Sequence, residues 1–333
     1  MKKISVVVPC YNEENSVIEM YKRIRRVFET ILINYEYELI YVDDYSKDNT
    51  REVIRELCGQ DKHVKAVFNM ANFGFSRNIF SSLLQGDGDA VFLVFGDLQD
   101  PPELLPQFVE KWEEGSKVVI GKKIRSDENK FMCFMRSCYY FWIDELSEKK
   151  QIRHFNGYGL YDKKFVKVIS EIGDSQPYIK AVVSEYAAGY AVVEYEHKKS
   201  SRGKSNFNLY KNYDFAMEGI TSSTKKLMRI ATFSGAILGM VCAVYGIFVF
   251  VRKLLFWSSY PLGMASLSVG IFLLGAIQLF FIGILGEYVL SINTRTMRKP
   301  RVVIDEKINF EEQAEQGKNI LNEEKKYEGV SVF

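Results

Sequence analysis

The segment VFGDLQDPPE (94–103) closes an apolar run, AVFLVF (90–95), and then sets down Asp97, Asp100 and Glu103 in quick succession. Asp97 stands one residue past Gly96, and a residue without a Cβ lets another group come close. No basic residue adjoins Asp97 in sequence, so a hard cation bridging to a phosphate is the partner that suits it. Mg²⁺ is typically held in this way, by one or two carboxylates plus substrate phosphates. Gln99 can add a carbonyl oxygen, and the plainer alternative for Asp97 is a loop aspartate at a turn. Asp100-Pro101-Pro102-Glu103 reads instead as a helix start. Aspartate is a favoured N-cap, proline fits the first helical position, and a glutamate at the third completes a capping box.

Asp43 and Asp44 end another apolar run, YELIYV (37–42), and Ser46 or Asp48 can cap the helix that follows. Two adjacent acids ending a buried strand suit hydrogen bonds from a ribose or a base. PCYNEEN (9–15) supplies a turn, an aromatic face and an acid after the first run. Each cluster is a weak signal alone. Their shared position, directly after apolar runs, points to a crevice for a nucleoside diphosphate.

The elements that must carry these residues follow from the runs themselves. ISVVVP (4–9), YELIYV (37–42), VKAVF (64–68), AVFLVF (90–95) and KVVIG (117–121) are continuous apolar stretches bounded by turn residues, as strands buried on both faces are. Helical patterns lie between them: NSVIEMYKRIRRVFETI after the first and a stretch from Asp48 after the second. Alternating strand and helix predicts an α/β fold with a mostly parallel, Rossmann-like sheet covered on both faces. Ligands bind such sheets beyond the carboxyl ends of the strands, where these clusters fall.

The bulk composition excludes several classes. Net charge is +2 over 333 residues, which gives no long-range field for a nucleic-acid partner. Five cysteines without a CxxC pair and three histidines argue against a zinc cluster or a disulfide framework. Two stretches carry no charge, Ile230 to Val251 and Phe256 to Gly286. About 20 apolar residues suffice to cross a bilayer as a helix. Two crossings, about 230–251 and 262–286 within 229–294, would form a hairpin around RKLLFWSSYP, with Trp257 and Tyr260 at the interface. Lys225, Lys226 and Arg229 before it, and Arg295, Arg298, Lys299 and Arg301 after it, put both ends in the cytoplasm by the positive-inside rule, against Arg252 and Lys253 in the hinge. The expected organisation is a cytoplasmic domain over 1–205, a juxtamembrane amphipathic helix over 206–228, the hairpin, and a cytoplasmic tail over 295–333, acidic and polar after Arg301 and there a frayed helix or disordered. That amphipathic segment either lies at the lipid surface or packs on the soluble domain. Before it, Arg202, Lys204 and Ser205 can close over a diphosphate or a lipid phosphate, or simply attract anionic headgroups.

VVVPCYNEEN, VDDYSKDNT, NFG and GDLQDPPE, in this order and spacing, resemble the family 2 glycosyltransferases of GT-A fold. Trp112 and Gly115, the GLYDKK and RGKSNFNLY segments and the apolar hairpin narrow the likeness to polyprenyl-phosphate glycosyltransferases, a group that includes dolichol-phosphate mannose synthases and bactoprenol glucosyltransferases. The likeness covers about residues 3 to 300. It implies an inner-membrane enzyme that moves a sugar from a nucleotide-sugar to a polyprenyl phosphate, with inversion and with Mg²⁺ or Mn²⁺. It further implies that Pro9, Tyr11, Glu13 and Asp43 or Asp44 hold the nucleotide and that Asp97 and Gln99 take the metal. Lys123 and Arg136 would face the acceptor phosphate, Arg202, Lys204 and Ser205 would bind the lipid phosphate or the diphosphate, and self-association and a flippase partner are implied by analogy.

Three departures from the family pattern involve four positions. Phe95 stands where the first acid of the DxD motif belongs, and Tyr45 replaces the glycine after the paired acids. Gly157 and Gly159 fall where relatives carry an acid and an arginine around F-R-L. Asp162 is the fallback catalytic acid, its alternative being a cap for the helix starting at Lys163. A phosphate monoester is mostly ionised near neutral pH, so a strong base is dispensable. Two other functions fit the residues: a family 2 transferase with a saccharide or glycolipid acceptor, and a non-catalytic sugar-nucleotide-binding subunit.

Overall fold

A computed structural model describes residues 1–125, 152, 155–172, 178–187, 189–196, 264–296 and 300–310, with isolated helical positions between 237 and 255. The first half alternates strand and helix as the apolar runs predict: β1 (Lys2–Cys10), α1 (Val17–Thr30), β2 (Tyr35–Asp43), α2 (Thr50–Gln60), β3 (Val64–Asn69), α3 (Phe75–Leu83) and β4 (Ala90–Leu93). A short 3₁₀ turn, Pro102–Leu104, then leads into α4 (Leu105–Glu113) and β5 (Val118–Arg125). After a break come β6 (Gly159–Asp162), α5 (Lys163–Glu171), α6 (Ile179–Tyr186), β7 (Ala191–Glu196), the long α7 (Met264–Thr296) and β8 (Ile304–Ile308).

The strands form one eight-stranded sheet in the order β7-β5-β6-β4-β1-β2-β3-β8. β1 pairs in parallel with β2 and with β4, and β2 with β3, so the chain steps outward one way from β1 and then returns to its other side at β4. That reversal makes the crevice between the carboxyl ends of β1 and β4 the place for a ligand. β6 runs antiparallel to both β4 and β5, and β8 antiparallel to β3. Ile4, Val6, Val7 and Val8 of β1, and Leu39 to Val42 of β2, have no exposed surface, because helices cover both faces of the central strands. α1 lays Met20, Ile24, Val27 and Phe28 on one side of this core, at helical spacing.

The tail departs from expectation. The segment read as frayed helix or disorder contains β8, whose residues alternate between half-buried and exposed as an edge strand does. Glu306 pairs with Arg55 at 2.7 Å, and the Asn309 side chain donates to the carbonyls of Cys58 and Val64, each at 2.8 Å. Three charges in IDEKI hide a strand whose inward face is supplied by Ile304, Glu306 and Ile308.

α7 is one helix of 33 residues and takes in positions 264–286 of the second apolar run. The first run and the juxtamembrane segment 206–228 lie outside the described residues apart from scattered positions. Among the described residues no helix is long and apolar enough to cross a membrane.

Candidate active site

The loops after β1 and β2 are stitched together into one wall of the crevice. The Asn12 amide donates to Ser46 Oγ (2.8 Å), the Lys47 amide to Asn12 Oδ1 (2.8 Å) and the Glu13 amide to Thr50 Oγ1 (2.7 Å). Pro9 pairs with Val42 at the end of the strands, and Tyr11, next along, is partly exposed at the crevice. The Glu13 side chain is buried, with Ser16 Oγ donating to its carboxylate at 2.7 Å. It lies against the opposite wall: a Cβ at Gly96 would come within 3.3 Å of Glu13 Cγ and 3.1 Å of Cys10 Sγ. A side chain at this position would crowd both, so glycine eases the close approach of the β4 loop directly before Asp97.

The paired acids have separate duties. Asp43 is fully buried and accepts from the Ser46 amide (3.0 Å) and from Arg51 Nε (2.9 Å), besides the Ser46 hydroxyl. Arg51 reaches on to the Asn69 carbonyl and toward Asp305 of the tail (3.7 Å), so Asp43 fastens β2 to α2, β3 and β8. Asp44 accepts from the amides of Phe73 (3.0 Å) and Gly74 (2.8 Å) and from the Asn69 side chain (2.9 Å). Burial raises its carboxyl above the usual range, and the donors from Phe73, Asn69 and Gly74 offset only part of that. Asp44 therefore anchors the NFG loop, which turns through Gly74 at φ +89° into α3 and Phe75. Both carboxylates shape the crevice from within its wall.

Asp97 is half-buried past the end of β4, and its Oδ1 accepts from the Gln99 amide at 3.1 Å. Leu98 between them takes φ +58°, a left-handed turn that keeps Asp97 and Gln99 in one compact loop. Among the described residues no three His, Cys, Asp or Glu side chains converge on one point. The donor set fits a divalent cation of the Mg²⁺ kind, which takes one or two carboxylates and completes its shell with water and substrate phosphates.

Asp100 and Glu103 correct the sequence reading. The helical turn does begin here, but Pro101 stands at its N-cap and no side chain caps it. Asp100 is instead turned into the protein, 1% exposed, accepting from the Tyr195 hydroxyl and from Asn156 Nδ2 (3.0 Å), with Lys123 Nζ at 3.9 Å. Burial and then the Asp100 charge push the Tyr195 hydroxyl far above its usual range, so it remains a donor. Glu103 faces outward and forms a two-point ion pair with Arg23 of α1. The strong capping pattern lost because partners distant in sequence claimed the carboxylate. Lys123, expected at the acceptor phosphate, sits in β5 beside this buried acid.

Asp162 is a second correction. It lies opposite Ala90, the first residue of β4, and hence at the end of the sheet away from Asp97. There it caps α5, accepting from the Lys164 amide (2.9 Å), and also from the Trp112 indole (2.9 Å) and Lys117 (3.2 Å). Burial works to raise its carboxyl, but these donors hold it below its usual range. Asp162 is thus the cap of a helix and no acid for chemistry in the crevice.

Two departures from the family pattern turn out to be one. Gly157 adopts φ +114°, and a Cβ there would lie 3.3 Å from Leu93 Cδ2 and 3.7 Å from the tip of Phe95. Phe95 is nearly buried and stacks on Phe75, with ring centroids 5.4 Å apart. The two positions lie 62 apart in sequence (157 − 95), so no local pattern joins them. Tyr45, the remaining departure, holds φ +63° with Arg51 packed over its ring. Arg136, Arg202, Lys204 and Ser205 lie outside the described residues.

A mostly parallel α/β sheet with acids at its switch point defines an α/β protein whose ligand crevice lies at the carboxyl ends of β1 and β4. Residues 5–186 match the family described as Glycosyl transferase family 2, and the chain belongs to that family. It is 32% identical over 303 residues to the "Prophage bactoprenol glucosyl transferase homolog" of Escherichia coli (strain K12), covering 91% of this chain and 98% of that protein. It is 30% identical over 308 residues to the "Uncharacterized glycosyltransferase YkcC" of Bacillus subtilis (strain 168), covering 92% and 94%. The protein is accordingly a glycosyltransferase. The crystal structure of glucosyl-3-phosphoglycerate synthase from Mycobacterium tuberculosis with Mn²⁺, UDP and glucosyl-3-phosphoglycerate matches at TM-score 0.50 and 16% identity, over 66% of this chain and 78% of that one. At that identity the likeness speaks for the fold, which is of the GT-A kind.

Proposed function

We propose that the protein is a membrane-bound polyprenyl-phosphate glycosyltransferase, taking a sugar from a nucleotide-sugar donor with inversion and with a divalent cation. The observation that carries this reading is the length of the match to bactoprenol glucosyl transferases, 91% of the chain, which takes in the apolar runs as well as the sheet.

The fold supports the membrane part of the reading by topology. β7 precedes the apolar runs, β8 follows them, and both belong to one sheet, so any crossing between them must bring the chain back to its starting side. That requires an even number of crossings, as a two-helix hairpin has. The described positions Ile237, Met240, Val241, Val244, Phe248, Val251 and Leu255 are exposed, as are Leu267, Ile271, Ile282, Leu285 and Val289 of α7. Large apolar side chains left exposed in this way suit hydrocarbon better than water. The positive flanks then give an inner-membrane protein with its catalytic domain and both ends cytoplasmic.

In the proposed reaction an oxygen of the acceptor phosphate attacks the anomeric carbon as the bond to the leaving diphosphate breaks. Asp97, with Gln99, would hold the cation, which when bound neutralises charge on that diphosphate. Glu13 and the walls fastened by Asp43 and Asp44 fix the nucleoside. With Asp162 at the far end and Phe95 and Gly157 both lacking a carboxylate, the ionised acceptor phosphate serves as its own nucleophile. Alignment and charge neutralisation then supply the rate. The residues at positions 95, 157 and 159, Phe and two Gly, favour one competing reading, a sugar-nucleotide-binding subunit without catalysis. Membranes holding the protein, given labelled nucleotide-sugars and undecaprenyl phosphate with and without Mg²⁺ or Mn²⁺, separate the two. A metal-dependent lipid-linked sugar is expected. Nucleotide binding with no lipid product across the donor panel would favour the subunit.

A further inference from the structure

The segment that follows α7 touches the supports of both paired acids. Arg51 donates from Nε to Asp43 at 2.9 Å and from Nη2 to the Asn69 carbonyl, while its Nη1 lies 3.7 Å from Asp305. The same guanidinium lies over the rings of Tyr45 and Phe68, 5.3 and 5.1 Å from their centroids. The Met70 amide, just before the loop that Asp44 anchors, donates to the Val303 carbonyl at 2.9 Å. Arg301 lies 5.2 Å from the ring of Phe80, in the helix that this loop opens. Residues 301–305 thus reach both Arg51 and the NFG loop with α3.

The backbone is shaped for the contact with Arg51. Phe68 pairs with Glu306 and Asn69 with Ile304, so Asp305 is one residue extra on the β8 side, a β-bulge. Bulges re-aim a side chain and recur beside functional sites. This one faces the step from Phe68 to Asn69, whose carbonyl Arg51 already holds, and the residue it inserts is the acid that approaches the same guanidinium. Stability alone does not account for it. The Asp305 side chain is 47% exposed, and an ion pair so exposed contributes little to folding. Arg55 with Glu306, and Asn309 with two carbonyls, already fasten the strand. What Asp305 adds is a third fixed partner for Arg51. A planar guanidinium engaged at all three nitrogens has one orientation, and so has the buried Asp43 carboxylate that it holds.

We propose that Asp305 and Arg51 are positioning residues for the donor: the strand beyond the apolar runs holds Arg51, Arg51 holds Asp43, and the nucleoside wall is set before the donor arrives. The proposal rests on the nucleotide-sugar reading above and makes the chain after the apolar runs a working part of the donor site. Coupling of this kind is reciprocal, so a strand that favours donor binding is itself held more firmly once the donor is bound.

The test uses the full-length protein in detergent, titrated calorimetrically with UDP, UDP-glucose, UDP-N-acetylglucosamine, GDP and GDP-mannose. Saturation with the best-bound of these should slow hydrogen exchange across residues 301–310 and leave α5, at the far end of the sheet, unchanged. Asp305→Asn should weaken that ligand's affinity about threefold at an unchanged Tm, and Asp305→Glu should restore it. Arg51→Lys, which keeps the charge and loses the fork, should weaken it about tenfold. Binding without any change of exchange in 301–310, or wild-type affinity in Asp305→Asn, would overturn the proposal. So would an affinity loss in Asp305→Asn that is matched by a fall in Tm, which would make the contact one of general stability. If the wild type binds none of the five while remaining folded, the proposed function itself fails and the positioning role with it.

Discussion

Replacing Asp44 by asparagine probes how the fold builds the crevice, because one side chain there holds the loop that presents Phe75. Oδ1 accepts from Asn69 Nδ2 at 2.9 Å and from the Phe73 amide at 3.0 Å, and Oδ2 accepts from the Gly74 amide at 2.8 Å. Asparagine keeps one acceptor and turns an NH₂ toward a donor. With its oxygen held by Asn69 and Phe73, it faces the Gly74 N–H with another N–H. The bond lost is to a charged acceptor and is worth about 1.5–3 kcal/mol, and the stranded amide adds about 1–3 kcal/mol. An opposite effect comes from burial, which raises the Asp44 carboxyl, so removing the charge returns part of the cost. The lost bond and the stranded amide outweigh this relief, leaving a net destabilisation of about 2 kcal/mol. For a domain of this size that lowers Tm by about 4–8 °C. Asp44→Ala strands all three donors and should lie lower still. Thermal unfolding followed by tyrosine and tryptophan fluorescence gives the order wild type, Asn, Ala, and titration should show weaker donor binding in the same order. An asparagine variant within 1 °C of wild type and with the same donor affinity would refute the anchoring role.

Other outcomes follow from the same contacts. Burial alone would raise the Glu38 carboxyl, but Lys65, Ser5 and Lys3 bring it down from 4.5 to about 2. A depressed carboxylate stabilises above its unfolded value and loses that contribution as pH falls through the folded one. Glu38→Gln should therefore cost about 3 kcal/mol at pH 7 and less than half of that at pH 3; urea midpoints at the two pH values measure it, and a pH-independent difference would contradict it. Asp162→Ala should lower stability by about 1–2 kcal/mol through the lost cap while the folded fraction keeps its kcat; a collapse of kcat at unchanged folded fraction would restore it as an acid. Asn309→Ala, which strands the carbonyls of Cys58 and Val64, should raise hydrogen exchange in β3 and β8, and exchange unchanged there would argue that the tail strand is not held by this side chain.

The central strands were legible because a strand buried on both faces announces itself as an unbroken apolar run, as ISVVVP and YELIYV do. Asp97 was legible for the same reason, since a charge immediately after such a run must lie at a strand end. β8 was not, because an edge strand needs only alternate inward residues and IDEKI fills one of them with Glu306, whose partner Arg55 lies 251 residues away. Asp100 misled for a related reason. Its local pattern is a sound helix start, but Asn156 and Tyr195, 56 and 95 residues on, supply the donors. Asn69 was missed although it ends β3 as Asp43 ends β2, and the same rule would have found it. The meeting of Phe95 with Gly157 is visible only once β6 lies beside β4.

In the proposed function Asp97 is the carboxylate that serves sugar transfer to a polyprenyl phosphate. Wild-type and Asp97→Ala membranes should be given the preferred nucleotide-sugar, undecaprenyl phosphate and Mg²⁺, and the lipid fraction weighed by mass spectrometry. Undecaprenyl phosphate heavier by one sugar residue is expected from the wild type and none from the variant. Equal product from both, or a sugar on some other acceptor and none on the lipid, would contradict it.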